Sequence, residues 1–189
     1  MLFRSGAVTN TARVGRGDAV IVVGCGGVGV GAIQAARIAG AEPILAVDPE
    51  ADKRKAALGF GATHTVDPVG DDVAVAIRSA TGGRLADHLL VTTGAPAALD
   101  GVIDLLAPMG QLVIVGMPGD DVTIDVAPSW LAAANKSILG SKMGGARVSV
   151  DVPALLDHHR AGRLELGVML STTHPLDELE EAFGEVRPG

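Results

Sequence analysis

Three glycines and one acid carry the strongest chemical signal in the chain. Gly24, Gly26 and Gly29 stand in the run Val23-Gly24-Cys25-Gly26-Gly27-Val28-Gly29, with the spacing G-x-G-x-x-G. An apolar β-branched stretch, Val20 to Val23, leads into it, and Asp48 closes the next apolar stretch, Pro43 to Val47. Strand, glycine turn, helix, second strand and acid form the order that holds a dinucleotide pyrophosphate. Gly24 lets the chain leave the strand in a sharp turn. A side chain at Gly26 would keep the backbone away from a pyrophosphate, and one at Gly29 would hold the helix off the sheet. The N–H groups of Gly27, Val28 and Gly29 would then face phosphate oxygens, helped by the positive end of the helix dipole. A carboxylate at Asp48 would accept from both ribose hydroxyls and repel a 2′-phosphate, which favours NAD over NADP.

Other reactive residues give weaker signals. Cys25, inside the turn, reads as a small residue under the cofactor and not as a nucleophile. A helix N-terminus can lower a thiol pKa, but no base lies near it in sequence. His158 and His159 are adjacent, so on a helix they point about 100° apart and cannot easily chelate one ion. His64, His88 and His174 are scattered, and no metal is assigned to any of them. Asp71-Asp72 and Asp120-Asp121 suit turns and caps, and Glu178, Glu180 and Glu181 suit a solvated helix face. Arg147, after Gly144-Gly145, reads equally as a phosphate contact or a surface arginine.

Composition narrows the function classes. Of 189 residues 48% are hydrophobic and 20% charged, enough to bury a sizeable core in one domain or slightly more. Fifteen basic residues against 22 acidic ones leave a net charge of -7, which argues against nucleic acid and anionic membranes as partners. Aromatics make up 2%, too few for base-stacking platforms. There is no tyrosine, so a tyrosine–lysine catalytic pair is excluded. A single cysteine forbids an internal disulfide and a multi-cysteine zinc knuckle, and fits a reducing, cytoplasmic compartment. No uninterrupted apolar stretch reaches the roughly 18 residues of a membrane span, and Met1 to Ser5 is too short for a signal peptide.

These residues need elements to position them, and the pattern predicts an α/β alternation. Residues 1–17 form a lead-in helix or linker, with a turn at Arg16-Gly17-Asp18. Strands are predicted at Ala19–Val23, Pro43–Asp48, Thr63–Val66, Asp87–Val91, Gln111–Val115 and Ser137–Ser141. Helices are predicted from Gly27 to Ala39 with Gly40 as its cap, from Pro49 to Leu58, from Val69 to Ala80, and from Ala97 to Leu106. A helical turn is expected within Pro128–Asn135. Val152–Ala161 and Leu176–Val186 read as later helices, the last with Leu176, Leu179, Ala182, Phe183 and Val186 on one face. Alternation with short breaks makes the sheet parallel and doubly wound. The expected fold is a Rossmann domain over residues 18–145, strand order 3-2-1-4-5-6, with helices on both faces. Residues 146–189 form a C-terminal helical segment.

The ordered series resembles the medium-chain, zinc-dependent alcohol dehydrogenases. It comprises the glycine turn, Val47-Asp48, Lys53, Gly61-Ala62-Thr63, Gly110, Val115-Gly116-Met117-Pro118, Gly140-Ser141 and Gly144-Gly145. The resemblance covers nearly all of the chain after Gly6 and implies further cofactor contacts. Pro49 and Lys53 would lie at the adenosine ribose. Thr92, Thr93 and Gly94 would follow the fourth strand, and Val115, Gly116 and Met117 the fifth, near the nicotinamide carboxamide. Ser141, Lys142 and Met143 would complete that pocket. It implies no catalytic residue and no zinc ligand here, since the zinc-bearing domain precedes the matched region. Both ends therefore look cut short, and the C-terminal segment reads as a remnant of the catalytic domain.

The function so implied is NAD(H) binding within an enzyme that passes hydride between an alcohol or aldehyde and nicotinamide. Zinc would act only in the intact enzyme, and a homodimer would form through the edge strand at Ser137–Ser141. Two alternatives stay open: a free-standing nucleotide-binding module, and the coenzyme domain of a zinc-free medium-chain reductase. Asp48 opposes the second, because such reductases usually prefer NADPH.

Overall fold

A computed structural model describes residues 1–169 and 172–185. The chain opens with α1 (Leu2–Gly6), which runs on as a π-helical turn over Ala7–Ala12. Then follow β1 (Val20–Val23), α2 (Gly27–Ala39), β2 (Ile44–Val47), α3 (Ala51–Phe60), β3 (His64–Val66), α4 (Val73–Ala80) and β4 (Ala86–Val91). Two 3-10 turns, Pro96–Leu99 and Val102–Leu105, lead to β5 (Leu106–Ile114), α5 (Pro128–Ala133) and β6 (Ser137–Gly140). The chain ends through α6 (Val148–Arg160) and α7 (Leu179–Glu185).

All six strands pair in parallel in the order β3-β2-β1-β4-β5-β6, as the alternation predicts. Successive strand residues face opposite sides of the sheet, and two apolar clusters divide accordingly. Val20, Val22, Ile44, Ala46, Leu90 and Val113 pack with Ala32, Ile33, Ala35 and Ala36 of α2 and Ala57 of α3. Ile21, Leu45, Leu89, Val91 and Leu112 pack with Ile77 of α4 and with Leu99 and Val102. Helical cover on both faces fits the central strands β1 and β2, which are apolar at every position.

The first twelve residues belong to the core as much as the strands do. Ala7 and Val8 are fully buried and Ala12 nearly so, in the cluster that contains α2. Their polar neighbours, Thr9, Asn10 and Thr11, hide this signal in the sequence. Gln34, fully buried on α2, fastens the other end of the chain. Its amide donates to the Glu165 carbonyl (3.1 Å) and accepts from the Glu165 N–H (2.8 Å).

Several elements differ from the sequence expectation. The helix predicted from Val69 starts at Val73, and the one predicted from Val152 starts at Val148, which puts Pro153 inside it. The helix predicted over Ala97–Leu106 is split, because Gly101 takes a left-handed conformation (φ +62°) between the two 3-10 turns. The strand predicted at Gln111 starts at Leu106. Its register with β4 jumps from Ala86↔Leu106 to His88↔Gln111, so Ala107 to Gly110 bulge outwards. The last helix begins as a 3-10 turn at Leu176–Glu178, and Leu176, Leu179 and Phe183 are exposed. Its predicted terminal residue, Val186, lies outside the described residues. No helix among the described residues is long and apolar enough to cross a membrane.

Candidate functional site

The order in which strands are added to the sheet reverses between β1 and β4, and an open α/β sheet binds ligands at the carboxyl ends of the strands there. A cleft of about 850 Å³ lies at that point. Its floor is the turn from β1 into α2. Gly24 has φ +91°, a left-handed conformation, and its N–H donates to the Val47 carbonyl (2.8 Å). The Thr92 hydroxyl donates to the Gly24 carbonyl (2.7 Å), which joins the turn to the end of β4.

The three motif glycines are required for different reasons. A Cβ on Gly29 would lie 1.8 Å from the Gly24 carbonyl oxygen, so no side chain fits where the helix meets the turn. A Cβ on Gly26 would meet nothing within 4 Å and would project into open space. With an ordinary φ of -68°, Gly26 has no steric need within the fold to lack a side chain. Gly24 is held by its φ angle and by Thr92 and Thr93, 3.1 Å from an added Cβ.

Asp48 is 5% exposed and ties the two strand ends together. One carboxylate oxygen accepts the Cys25 N–H (2.7 Å) and the other the Glu50 N–H (2.8 Å). A carboxylate offers about four acceptor sites, so each oxygen keeps capacity for one more donor. Lys53 lines the cleft, but its ammonium pairs with Glu50 (2.9 Å), and that hydrogen bond is the main cause of its raised pKa. Arg54, which the sequence did not single out, donates to the carbonyls of Asp48 (2.6 Å) and Pro49 (2.8 Å) and pairs with Asp67 (3.0 Å). It holds the end of β2 against the loop after β3. The Asp67 carboxyl is held below the usual range, first by the Val69 N–H.

Sequence-predicted residues divide into two groups. Gly24, Gly26, Gly27, Val28, Asp48, Pro49, Lys53, Thr92, Thr93 and Gly94 all line the cleft. Cys25 lies beneath it, and Gly29 is buried in the joint with α2. The Cys25 thiol donates to the Val47 carbonyl, and burial, then the Asp48 charge, pushes its pKa up to about 12. It is a packed thiol and no nucleophile at neutral pH. Val115, Gly116, Met117, Ser141, Lys142 and Met143 do not line the cleft. Gly116 is buttressed instead, since a Cβ there would lie 2.1 Å from the Thr93 carbonyl oxygen. Met117 is 88% exposed. The Ser141 hydroxyl turns away to meet Thr11 (2.9 Å).

The cleft lining also includes Val69, Val73, Ala98 and Val102, with Asp72 and Asp100 among them, none of which was expected at the site. Their spacing carries no signal, because they come from α4, the loop before it and both 3-10 turns. The acids Asp48, Glu50, Asp72 and Asp100 against the single cation Lys53 make the lining acidic. Among the described residues no three His, Cys, Asp or Glu side chains gather as metal ligands. Zinc chemistry therefore has no fit to these residues.

Comparison with known proteins bears on this site. Residues 27–159 match the family model described as zinc-binding dehydrogenase. The chain is 33% identical over 186 residues to geraniol dehydrogenase from Castellaniella defragrans, covering 98% of this chain and 49% of that protein. A crystal structure of an alcohol dehydrogenase zinc-binding domain protein from Burkholderia ambifaria superposes with a TM-score of 0.90 at 34% identity. It covers 97% of this chain and 49% of that one. A zinc-binding dehydrogenase from Sinorhizobium meliloti, solved with NADP bound, superposes at 0.86 with 26% identity, covering 98% and 54%. The chain thus spans about half the length of the curated relatives it matches. With that match running from the glycine turn through α6, the chain belongs to the zinc-binding dehydrogenase family, as its coenzyme-binding domain.

Proposed function

We propose that the cleft binds NAD(H) and presents its nicotinamide for hydride exchange with an alcohol or aldehyde held by a further domain. The carrying observation is Gly26, bare without any steric need, at the mouth of an otherwise tightly packed turn. On this reading the pyrophosphate lies over Gly26 to Val28, where free N–H groups and the helix dipole attract it. Asp48, already fixed by two backbone donors, accepts from the adenosine ribose. Lys53 stays near enough to donate to a hydroxyl. The apolar part of the cleft lining, with Val73 and Val102, takes the adenine ring. Thr93, Gly94, Val115, Gly116, Met117, Ser141, Lys142 and Met143 lie toward the nicotinamide. Bound NAD would supply a hydride acceptor, and this chain binds and orients it.

Coenzyme choice follows from charge. A 2′-phosphate would approach Asp48 and Glu50 with only Lys53 to offset them, which favours NAD. The Sinorhizobium meliloti relative, solved with NADP, supports the other coenzyme. Calorimetric titration with NADH and NADPH decides between them. Tighter NADH binding that weakens in Asp48→Asn is expected, and equal affinities would sink the assignment of Asp48. The zinc step belongs to residues outside this chain, so purified chain should give no alcohol-dependent NADH. A second copy pairing along β6, the last strand of the sheet, is the expected route to a homodimer, and a cytoplasmic setting suits the reduced Cys25.

A further inference from the structure

Arg4 lies where the glycine motif gives no reason for a cation. Helix α1 crosses α2, and Gly27 and Gly31, one turn apart, leave a bare strip on α2. A Cβ on Gly31 would lie 2.8 Å from the Arg4 Cβ and 2.9 Å from its Cδ. The aliphatic stem therefore rests directly on the helix backbone there. A Cβ on Gly27 would lie 3.7 Å from one guanidinium nitrogen and 3.8 Å from the other terminal nitrogen and the central carbon. The side chain thus runs along α2 toward its first residue and ends beside the glycine turn.

That is the unfavourable end of a helix for a cation, because its dipole is positive there. Among the described residues no acid lies within 4 Å of the guanidinium. The cleft lining meanwhile carries four acids, and its one cation is paired with Glu50. A diphosphate seated over Gly26 and Gly27 would meet no positive side chain from the lining itself. An uncompensated guanidinium next to a ligand site short of positive charge is a matched pair of deficits.

We propose that Arg4 is the diphosphate anchor, its guanidinium pairing with the pyrophosphate of a dinucleotide at the glycine turn. The assignment rests on the dinucleotide reading above. It gives Gly31 a role outside the motif: a side chain there would lift Arg4 off its track.

The test titrates ADP-ribose into the 189-residue chain and into Arg4→Gln and Arg4→Lys at low and high salt, with thermal melting of each free protein. Arg4→Gln should bind ADP-ribose about tenfold more weakly, the scale of a lost charge-assisted pair, and with a flatter salt dependence. Arg4→Lys should keep the salt dependence and lose part of the affinity, since an ammonium lacks the fork. Neither variant should lower the melting temperature by more than the packing of its shortened stem contributes, because among the described residues the guanidinium pairs with no acid. Wild-type affinity in Arg4→Gln overturns the assignment, as does weaker binding with an unchanged salt dependence. If the wild-type chain takes up no ADP-ribose, the dinucleotide reading falls, and Arg4 with it.

Discussion

The carboxyl edge of the sheet has two unlike halves. At β1, β2 and β4 the predicted residues meet around one cleft and hold one another, Thr92 to Gly24 and Cys25 to Asp48, while Glu50 and Arg54, not expected there, fasten the end of β2. At β5 and β6 the predicted residues follow their strands as expected but lie outside that cleft. Met117 and Met143 are largely exposed, and Ser141 is spent on Thr11. The first half is a cleft whose lining residues bond to one another. The second is a set of positions outside that cleft. A ligand site can be complete at one end of a long ligand and open at the other.

Substitutions that separate the halves test this contrast. The largest effect is expected within the first half, at Gly29→Ala, whose methyl would collide with the Gly24 carbonyl. Overpacking costs about 1–3 kcal/mol where side chains can yield. Rigid backbone should push this to the top of that range or beyond, read as a loss of cooperative urea unfolding or a sharply lower midpoint. Gly26→Ala is the control: its methyl meets nothing, so stability should hold while coenzyme affinity falls. An equal loss of stability in both would contradict the division of roles between the two glycines.

Asp48→Asn comes next. The amide nitrogen would face one of the two N–H donors, and an unsatisfied buried donor costs about 1–3 kcal/mol. Chemical denaturation should show that loss in the free protein, apart from any effect on coenzyme. Cys25 gives a pH-dependent counterpart. Its thiol keeps its proton up to about pH 12 when folded, against an ordinary value of 9.0. Between those values the unfolded chain binds fewer protons, so stability falls as pH rises, by about 1.4 kcal/mol per pH unit for one group. Cys25→Ala should lose that slope between pH 9 and 11. Parallel alkaline profiles for the two proteins would refute the buried thiol.

In the second half the effects should be smaller. Ser141→Ala removes one hydrogen bond to Thr11 and should cost about 1 kcal/mol, with adenosine diphosphate affinity unchanged. A large drop in that affinity would mean that the two halves are coupled. The smallest effect on stability falls back in the first half, at Lys53→Met, about 0–1 kcal/mol, because its pair with Glu50 is exposed.

Much of the site was legible because its requirements are local. Gly24, Gly26 and Gly29 are set by the backbone path of a single turn, and Asp48 by its place at the end of the next strand. The residues that escaped notice owe their roles to distant partners. Arg54 matters through Asp67, Gln34 through Glu165, and Arg4 through two glycines on a helix it does not belong to. Ala7 and Val8 escaped because three polar residues follow them. The split at Gly101 and the bulge before Gln111 escaped because apolar content alone does not separate a helix from paired 3-10 turns or a bulged strand.

Strand order, two-sided helical cover and the coenzyme turn were determined by the sequence itself, since continuous apolar strands, capped helices and motif glycines act within a few residues. Only the tertiary structure decided which predicted contacts share a cavity, which way Ser141 faces and where the Arg4 guanidinium rests. Those depend on packing between segments far apart in the chain, and side-chain direction there is set by whichever neighbour is near enough to bond.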